Sequence, residues 1–325
     1  MSISVVVPTR NSEKTIDGCL SSLCQQTYPA QQLIVVDGKS TDSTIERVRR
    51  FQNVKLIQNP PNDTAGIARN RGAEVATGDI IFFCDSDCIV ERKALQYHAT
   101  AHEKRKDVIG VMGSIRNATS GNPISDFVQK QVLMSEWSEN LDVDGTIRRY
   151  FCSANFTMLR RGFLERRFRE DLVSSEDADL FIRLSQEGSR ILFEPRAFVY
   201  HHHPTTLEQL FRRFFWYGES LPQMQRIHGD VFTERDREFS RMRYLFFSKK
   251  YLQAAVLTDN RLLCEGCMSG TLQHCGVHCS QLAGSITQSE VDLHRLTCLA
   301  TAAGILKQRA GIDCEATIGG TLTDK

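Results

Sequence analysis

Two carboxylates two residues apart, Asp85 and Asp87, close the apolar run Ile80-Ile81-Phe82-Phe83-Cys84, which reads as a buried strand. Oxygen ligands at the carboxyl end of a strand suit a hard divalent cation such as Mg²⁺ or Mn²⁺. Such an ion keeps several waters and commonly holds nucleotide phosphates. Taken alone, the same residues read equally well as an Asp-rich turn. A second candidate is Ser174-Ser175-Glu176-Asp177-Ala178-Asp179, a Ser-capped helix start with acidic residues in its first turn. Acidic side chains there complement the helix dipole by about 0.3–1 kcal/mol, so a structural explanation also serves. The same dipole would keep Asp177 ionised near neutrality, as a general base must be. Asp37, after the apolar Leu33–Val36, can accept hydrogen bonds from a base or ribose, or simply form a turn with Gly38.

The elements around these residues alternate between strand and helix patterns, which predicts a parallel sheet with crossover helices. Ile3–Val7, Leu33–Val36, Val54–Ile57 and Ile80–Cys84 read as strands. Lys14–Gln26, the segment opened by a Ser43-to-Glu46 capping box, and Thr64–Ala76 read as helices. A helix over about Lys93–Lys104 leads into Val108–Met112. Further on, Ile124–Trp137 reads as one helix within a polar stretch, followed by regular structure at Cys152–Leu159 and a helix at Asp177–Gln186. Strands at Arg190–Phe193 and Val199–His201 come next. In an open parallel sheet, ligands bind outside the carboxyl ends of the strands. The loops Pro8-Thr9-Arg10-Asn11, Asp37–Asp42 and Asp85-Ser86-Asp87 therefore share one edge.

A chain of 325 residues accommodates one large α/β domain, expected over 1–205, and a mainly helical extension over 206–325. Hydrophobic content of 41% and charged content of 24% are ordinary for a globular protein, and a net charge of +1 argues against nucleic acid as a partner. No apolar stretch is long enough to predict a membrane span, and the N-terminus reads as a first core strand, not a signal peptide. Eleven cysteines without a secretory signal predict reduced thiols and a cytoplasmic protein.

The ordered set of Val5-Val6-Val7-Pro8-Thr9-Arg10-Asn11, Val36-Asp37-Gly38 with Ser40-Thr41-Asp42, Ala68-Arg69-Asn70-Arg71-Gly72 and Asp85-Ser86-Asp87 resembles family-two glycosyltransferases of the GT-A fold. Asn155–Arg161 and Glu176–Arg183 match that family's later blocks in order and spacing. The resemblance covers about residues 1–205. It implies a Rossmann-like, mixed but mostly parallel sheet flanked by helices, a UDP- or GDP-linked sugar donor, a Mn²⁺ or Mg²⁺ ion, and transfer with inversion at the anomeric carbon. On that resemblance Pro8, Thr9 and Asp37 lie around the nucleoside, and Arg69 or Arg71 approaches the ribose or diphosphate. Asp85, with Ser86 in the same donor loop, would hold ribose or metal-bound water, and Asp87 the metal. Asp177 would take the proton from the acceptor hydroxyl. His201, in the run His201-His202-His203, becomes a candidate near the metal or diphosphate, against the alternative of a surface His run.

The tail departs from this pattern. Cys264, Cys267, Cys275 and Cys279, with His274 and His278 between them, offer the ligands of a tetrahedral zinc site, or reduced and partly buried thiols. The basic, aromatic segment Leu207–Tyr217 suits either an anionic membrane surface carrying lipid-linked acceptors or closure of the acceptor site. Carbohydrate is the other acceptor class expected. The product would be a polysaccharide, glycolipid or glycoprotein glycan, and the protein would sit in the cytoplasm or at the cytoplasmic face of the membrane. Two rivals remain. A sugar nucleotidyltransferase wants a Gly-rich N-terminal phosphate loop, which Pro8-Thr9-Arg10-Asn11 lacks; a non-catalytic binding module would not need Asp85, Asp87 and Asp177 intact.

Overall fold

The computed structural model describes residues 1–60, 63–131, 141–147 and 152–238. Among these, eight strands form one sheet in the order β3-β2-β1-β4-β7-β6-β8-β5. The strands are β1 (Ile3–Thr9), β2 (Gln32–Asp37), β3 (Val54–Gln58), β4 (Ile80–Cys84), β5 (Cys88–Val90), β6 (Gly110–Asn117), β7 (Asn155–Leu159) and β8 (Ile191–His201). The pairs β1–β2, β2–β3, β1–β4 and β6–β8 are parallel, while β7 runs antiparallel to both β4 and β6, and β5 antiparallel to β8. The sheet is therefore mixed and mostly parallel.

The continuous apolar runs explain the central strands. Val5, Val6, Val7, Ile34, Val35 and Val36 are buried, as is every residue of β4, as expected of parallel strands covered on both faces. Helices supply the cover: α3 (Ala65–Val75) lies on β1 and β2, α4 (Ala94–Lys104) on β6 and β8, and α1 (Ile16–Cys24) against β5. Behind β4, Phe83, Phe163 of α6 (Arg160–Arg166) and Phe168 form an aromatic cluster with ring centroids 4.7–5.4 Å apart.

Three local expectations are corrected. Ser43 does not cap α2 (Thr44–Val48); its backbone N–H and hydroxyl both donate to Glu13 Oε2, which fastens the loop after β1 to the loop after β2. Arg190–Phe193 and Val199–His201 belong to one strand, β8, whose register against β6 shifts between Gly113 and Ser114. The Ser-capped start of α7 (Glu176–Gln186) has no side-chain cap, and Ser175 adopts a left-handed φ of 66°.

The described residues divide into two units, one within 1–118, 141–147 and 152–203, the other within 119–131 and 204–238. In the second, α5 (Pro123–Gln131) packs Ile124, Phe127 and Val128 against Leu210 and Phe214 of α8 (Leu207–Glu238). The helical backbone of α8 is interrupted at Gly229. No helix among the described residues is long and apolar enough to cross a membrane. Cys264, Cys267, Cys275 and Cys279 lie outside the described residues.

Candidate active site

Because β1, β2, β3 and β4 run in the same direction, their carboxyl ends form one edge, and the sequence-selected residues of these loops meet there. Thr9 and Asp37 are register partners at the ends of β1 and β2, with Pro8 opposite Val36 one step earlier. Asp37 is fully buried, and its carboxylate accepts from the Ser40 backbone N–H at 3.0 Å and the Ser40 hydroxyl at 2.5 Å. The loop that makes this possible contains Lys39 at φ 63°, and Asn11 at φ 50° faces it, its Oδ1 accepting from Thr41 N–H. Asx and Ser side chains binding the backbone within a few residues are what fold such loops.

This edge also holds a residue that the sequence analysis did not select. Asn59, directly after β3, donates its backbone N–H to the Asp37 carbonyl and is 5% exposed. Its Oδ1 accepts from Arg71, while its Nδ2 is buried without a hydrogen-bond partner, as is Thr9 Oγ1. Unsatisfied polar atoms inside a fold require an explanation, and a ligand at this edge would supply it. Arg71 itself is drawn to this side, pairing with Asp63 at 2.8 Å.

Arg69 goes the other way. From α3 its Nη2 donates to Asp85 Oδ1 at 2.6 Å and its Nη1 to Glu176 Oε1 at 2.5 Å, with the guanidinium 5.6 Å from the Phe168 ring centroid. Burial disfavours its charge, but Asp85 and Glu176 outweigh that and hold the guanidinium more firmly protonated than usual. Chain positions 69, 85 and 176 are thereby brought together, and Asp177 with them. Asp177 is recessed but partly accessible; its Oδ1 accepts from Ala178 N–H at 2.8 Å and its Oδ2 from Ser153 N–H at 3.4 Å. The helix dipole alone predicts an ionised Asp177, and here the expectation is corrected. Burial, reinforced by the Glu176 carboxylate, pushes its pKa up to about 7 against the pull of Arg69. Asp179 is not part of this group: it is buried and pairs with Arg183, whose other nitrogens donate to the Arg166 and Arg167 carbonyls.

On the far side of the same turn, Ser86 Oγ lies 2.8 Å from Ser12 Oγ, tying the Asp85–Asp87 loop to the loop after β1. Asp87 Oδ1 is buried without a hydrogen-bond partner, and His201 Nε2 lies 3.4 Å from it. Cross-strand pairing explains the meeting, since Cys88 of β5 is the register partner of His201 in β8, and the His202 N–H donates to the Asp87 carbonyl. His201 is 6% exposed, so it is no surface histidine. Asp87, Cys88 and His201 offer ligand atoms within 4.8 Å of one another. Burial pushes the Cys88 thiol up to about 12; a neutral thiol is a poor partner for a hard cation, so Asp87 and His201 are the pair that fit one.

Known proteins place this arrangement in context. Over 153 residues the chain is 33% identical to a poly(ribitol-phosphate) beta-glucosyltransferase of Bacillus spizizenii, a match covering 42% of this chain and 24% of that protein. Over 221 residues it is 27% identical to the O-antigen chain rhamnosyltransferase WbaN of Salmonella anatum, covering 66% and 70% respectively. The mannosyltransferase PcManGT from Pyrobaculum calidifontis, solved with GDP-Man and Mn²⁺, superposes with a TM-score of 0.59 at 18% identity, over 96% of this chain and 88% of that one. That likeness establishes a shared fold. Residues 4–168, which hold the carboxyl ends of β1 to β4, Arg69 and the Asp85–Asp87 turn, match the family model described as Glycosyl transferase family 2. With half of its length in that match, the chain belongs to glycosyl transferase family 2 and is a glycosyltransferase.

Proposed function

We propose that this enzyme moves a sugar from a UDP- or GDP-linked donor to an acceptor hydroxyl with inversion at the anomeric carbon, in the synthesis of an envelope polysaccharide or related glycan. One observation carries the reading: the Arg69 guanidinium links Asp85, two residues from Asp87, to Glu176, the neighbour of Asp177. Candidate donor and acceptor chemistry thus share one edge of the sheet.

In this reading the nucleoside lies against Pro8, Thr9, Asp37 and Asn59. The donor diphosphate lies near the Asp85–Asp87 turn. Asp177 accepts the proton of the acceptor hydroxyl as its oxygen bonds to the anomeric carbon. The bond to the diphosphate breaks on the opposite face, which inverts the centre. A base with a pKa near the working pH combines a usable ionised fraction with real proton affinity, and such catalysis is typically worth about 10²–10⁴-fold. Asp87 and His201 would hold Mn²⁺ or Mg²⁺, and Asp85 would reach it through water; the bound ion supplies positive charge against the departing diphosphate. The orphaned Asp87 Oδ1 beside His201 is the feature that fits such an ion.

A lipid-linked or carbohydrate acceptor agrees with the poly(ribitol-phosphate) and O-antigen chain named for the relatives. The second unit suits contact with an anionic membrane at the cytoplasmic face, because α8 exposes Trp216 (55%) near Arg212 and Arg213. The domain limits 1–205 and 206–325, and a zinc site at Cys264, Cys267, Cys275 and Cys279, are retained as proposals for the full chain.

The test is a thermal-shift and hydrolysis screen of UDP- and GDP-sugars with Mn²⁺, Mg²⁺ or chelator. Selective, metal-dependent stabilisation and donor cleavage are expected, both lost in folded Asp87→Asn. Metal-independent turnover, or wild-type turnover by Asp87→Asn, would remove Asp87 from the proposed role.

A further inference from the structure

Burying a charge is expensive unless it is paired, and a buried ion network is weak as a stabilising device. Arg69 has a side chain 5% exposed, and its two carboxylate partners are 29% (Asp85) and 11% (Glu176) exposed. They come from three different elements: helix α3, the turn after β4, and the first residue of α7. The surrounding core is built from the buried valines of β1 and β2 and the phenylalanines around Phe83. Ser175, with φ 66°, immediately precedes Glu176, and a non-glycine residue in the left-handed region persists only where its surroundings over-determine it.

We propose that Arg69 is a positioning residue that couples the two halves of the reaction: one buried guanidinium sets the place of Asp85 on the donor side and, by holding Glu176, the place and charge environment of Asp177 on the acceptor side. This deepens the function proposed above and rests on its assignment of Asp85 and Asp177. The geometry explains why the Glu-Asp pair opens α7. Glu176 is the anchor that Arg69 grips, and Asp177 is the adjacent, partly accessible group, whose hydrogen-bond partners among the described residues are backbone N–H groups. Among the described residues, the charged and titratable groups around Asp177 are Glu176 on its own helix, Arg69 from α3 and the Cys152 thiol before β7. Glu176 opposes ionisation of Asp177 and Arg69 favours it. Removing the Glu176 charge must therefore lower the Asp177 midpoint, and removing the Arg69 charge must raise it.

The experiment uses the full chain labelled with ¹³C at the aspartate carboxyls. The resonance that titrates near neutrality and vanishes in Asp177→Asn identifies the group. Glu176→Gln retains an oxygen for Arg69 while removing the charge, and should lower that midpoint by about 1 pH unit. Arg69→Gln should raise it by a similar amount and, in the same samples, weaken calorimetric binding of UDP or GDP with Mn²⁺ about tenfold or more. Should Arg69→Gln fail to fold, the Glu176→Gln midpoint alone decides. An unchanged midpoint in folded Glu176→Gln overturns the coupling, as does an unchanged midpoint with unchanged nucleotide affinity in folded Arg69→Gln. Failure of the underlying reading looks different: Asp177→Asn would transfer sugar at the wild-type rate whatever the titrations gave.

Discussion

A carboxyl group held at a pKa of about 7, against an ordinary 3.8, keeps its proton in the folded protein where the unfolded chain has already released it. The folded state binds more protons between those two values, so the stability that Asp177 contributes is present at low pH and is lost as pH rises toward 7. Asp177→Asn should consequently abolish transfer yet melt at a higher temperature than wild type at pH 8, with the difference vanishing near pH 4. A gain on the order of 2 kcal/mol is expected, less than the full pKa difference implies because the group is partly accessible. Equal melting temperatures at pH 8 would mean that the carboxylate is better solvated than its burial beside Glu176 suggests. The rate of the wild-type enzyme should rise through the same region, because only the ionised form accepts a proton.

At the level of elements, the close fit of α3 to the sheet decides where Arg69 stands. Gly72 sits one turn beyond Arg69, and a methyl group there would overlap Val6 Cγ1 in the buried β1. Gly72→Ala should therefore destabilise by about 1–3 kcal/mol through overpacking, although the same change in an exposed helix would stabilise it by roughly 0.5–1 kcal/mol. Urea unfolding checks the sign, and a more stable variant would contradict the packing. The central elements were legible because continuous apolar runs and a 3.6-residue period are local signals: β1, β2, β3, β4, α1 and α3 lie within a few residues of expectation. The three-residue β5 was not legible, because it exists only through pairing with β8, a contact more than 100 residues away in sequence. The Ser43 cap failed for the same kind of reason, a distant Glu13 outcompeting the local helix terminus. The carboxylates of the site were visible from residue type and spacing. Asn59 and the role of Glu176 were not, since each depends on a partner that only the fold supplies: Asp37 for one, Arg69 for the other.

Across the whole molecule, the two groups of titrating residues pull the pH dependence of stability in opposite directions, and their balance can be worked out. Beneath the sheet, His98 Nε2 donates to Asn155 Oδ1 at 3.0 Å, and His102 Nε2 lies 3.1 Å from Thr157 Oγ1. Asn155 in turn donates to the Ser114 and Ala197 carbonyls, where the β6–β8 register shifts. The network thus joins α4, β6, β7 and β8. Burial drives the pKa of His98 down from 6.5 to about 4 and that of His102 to about 3. Both must stay neutral in the fold, whereas the unfolded chain protonates them below about 6.5, so their contribution is complete above that pH and is lost as pH falls toward 4. Each depression corresponds to roughly 3–5 kcal/mol as an upper bound. Asp177 works in the other direction over part of the same range, but it is one group, less buried, set against two. Net stability should therefore fall between pH 6.5 and 4, and Asp177→Asn, which removes the opposing contribution, should steepen the fall. His102→Gln keeps a donor for Thr157 and removes one ionisation; it should move the acid-unfolding midpoint to lower pH. Thermal melts of wild type and both variants at half-unit pH steps provide the check. An acid limb unaffected by His102→Gln would place the cause of acid sensitivity outside this buried pair.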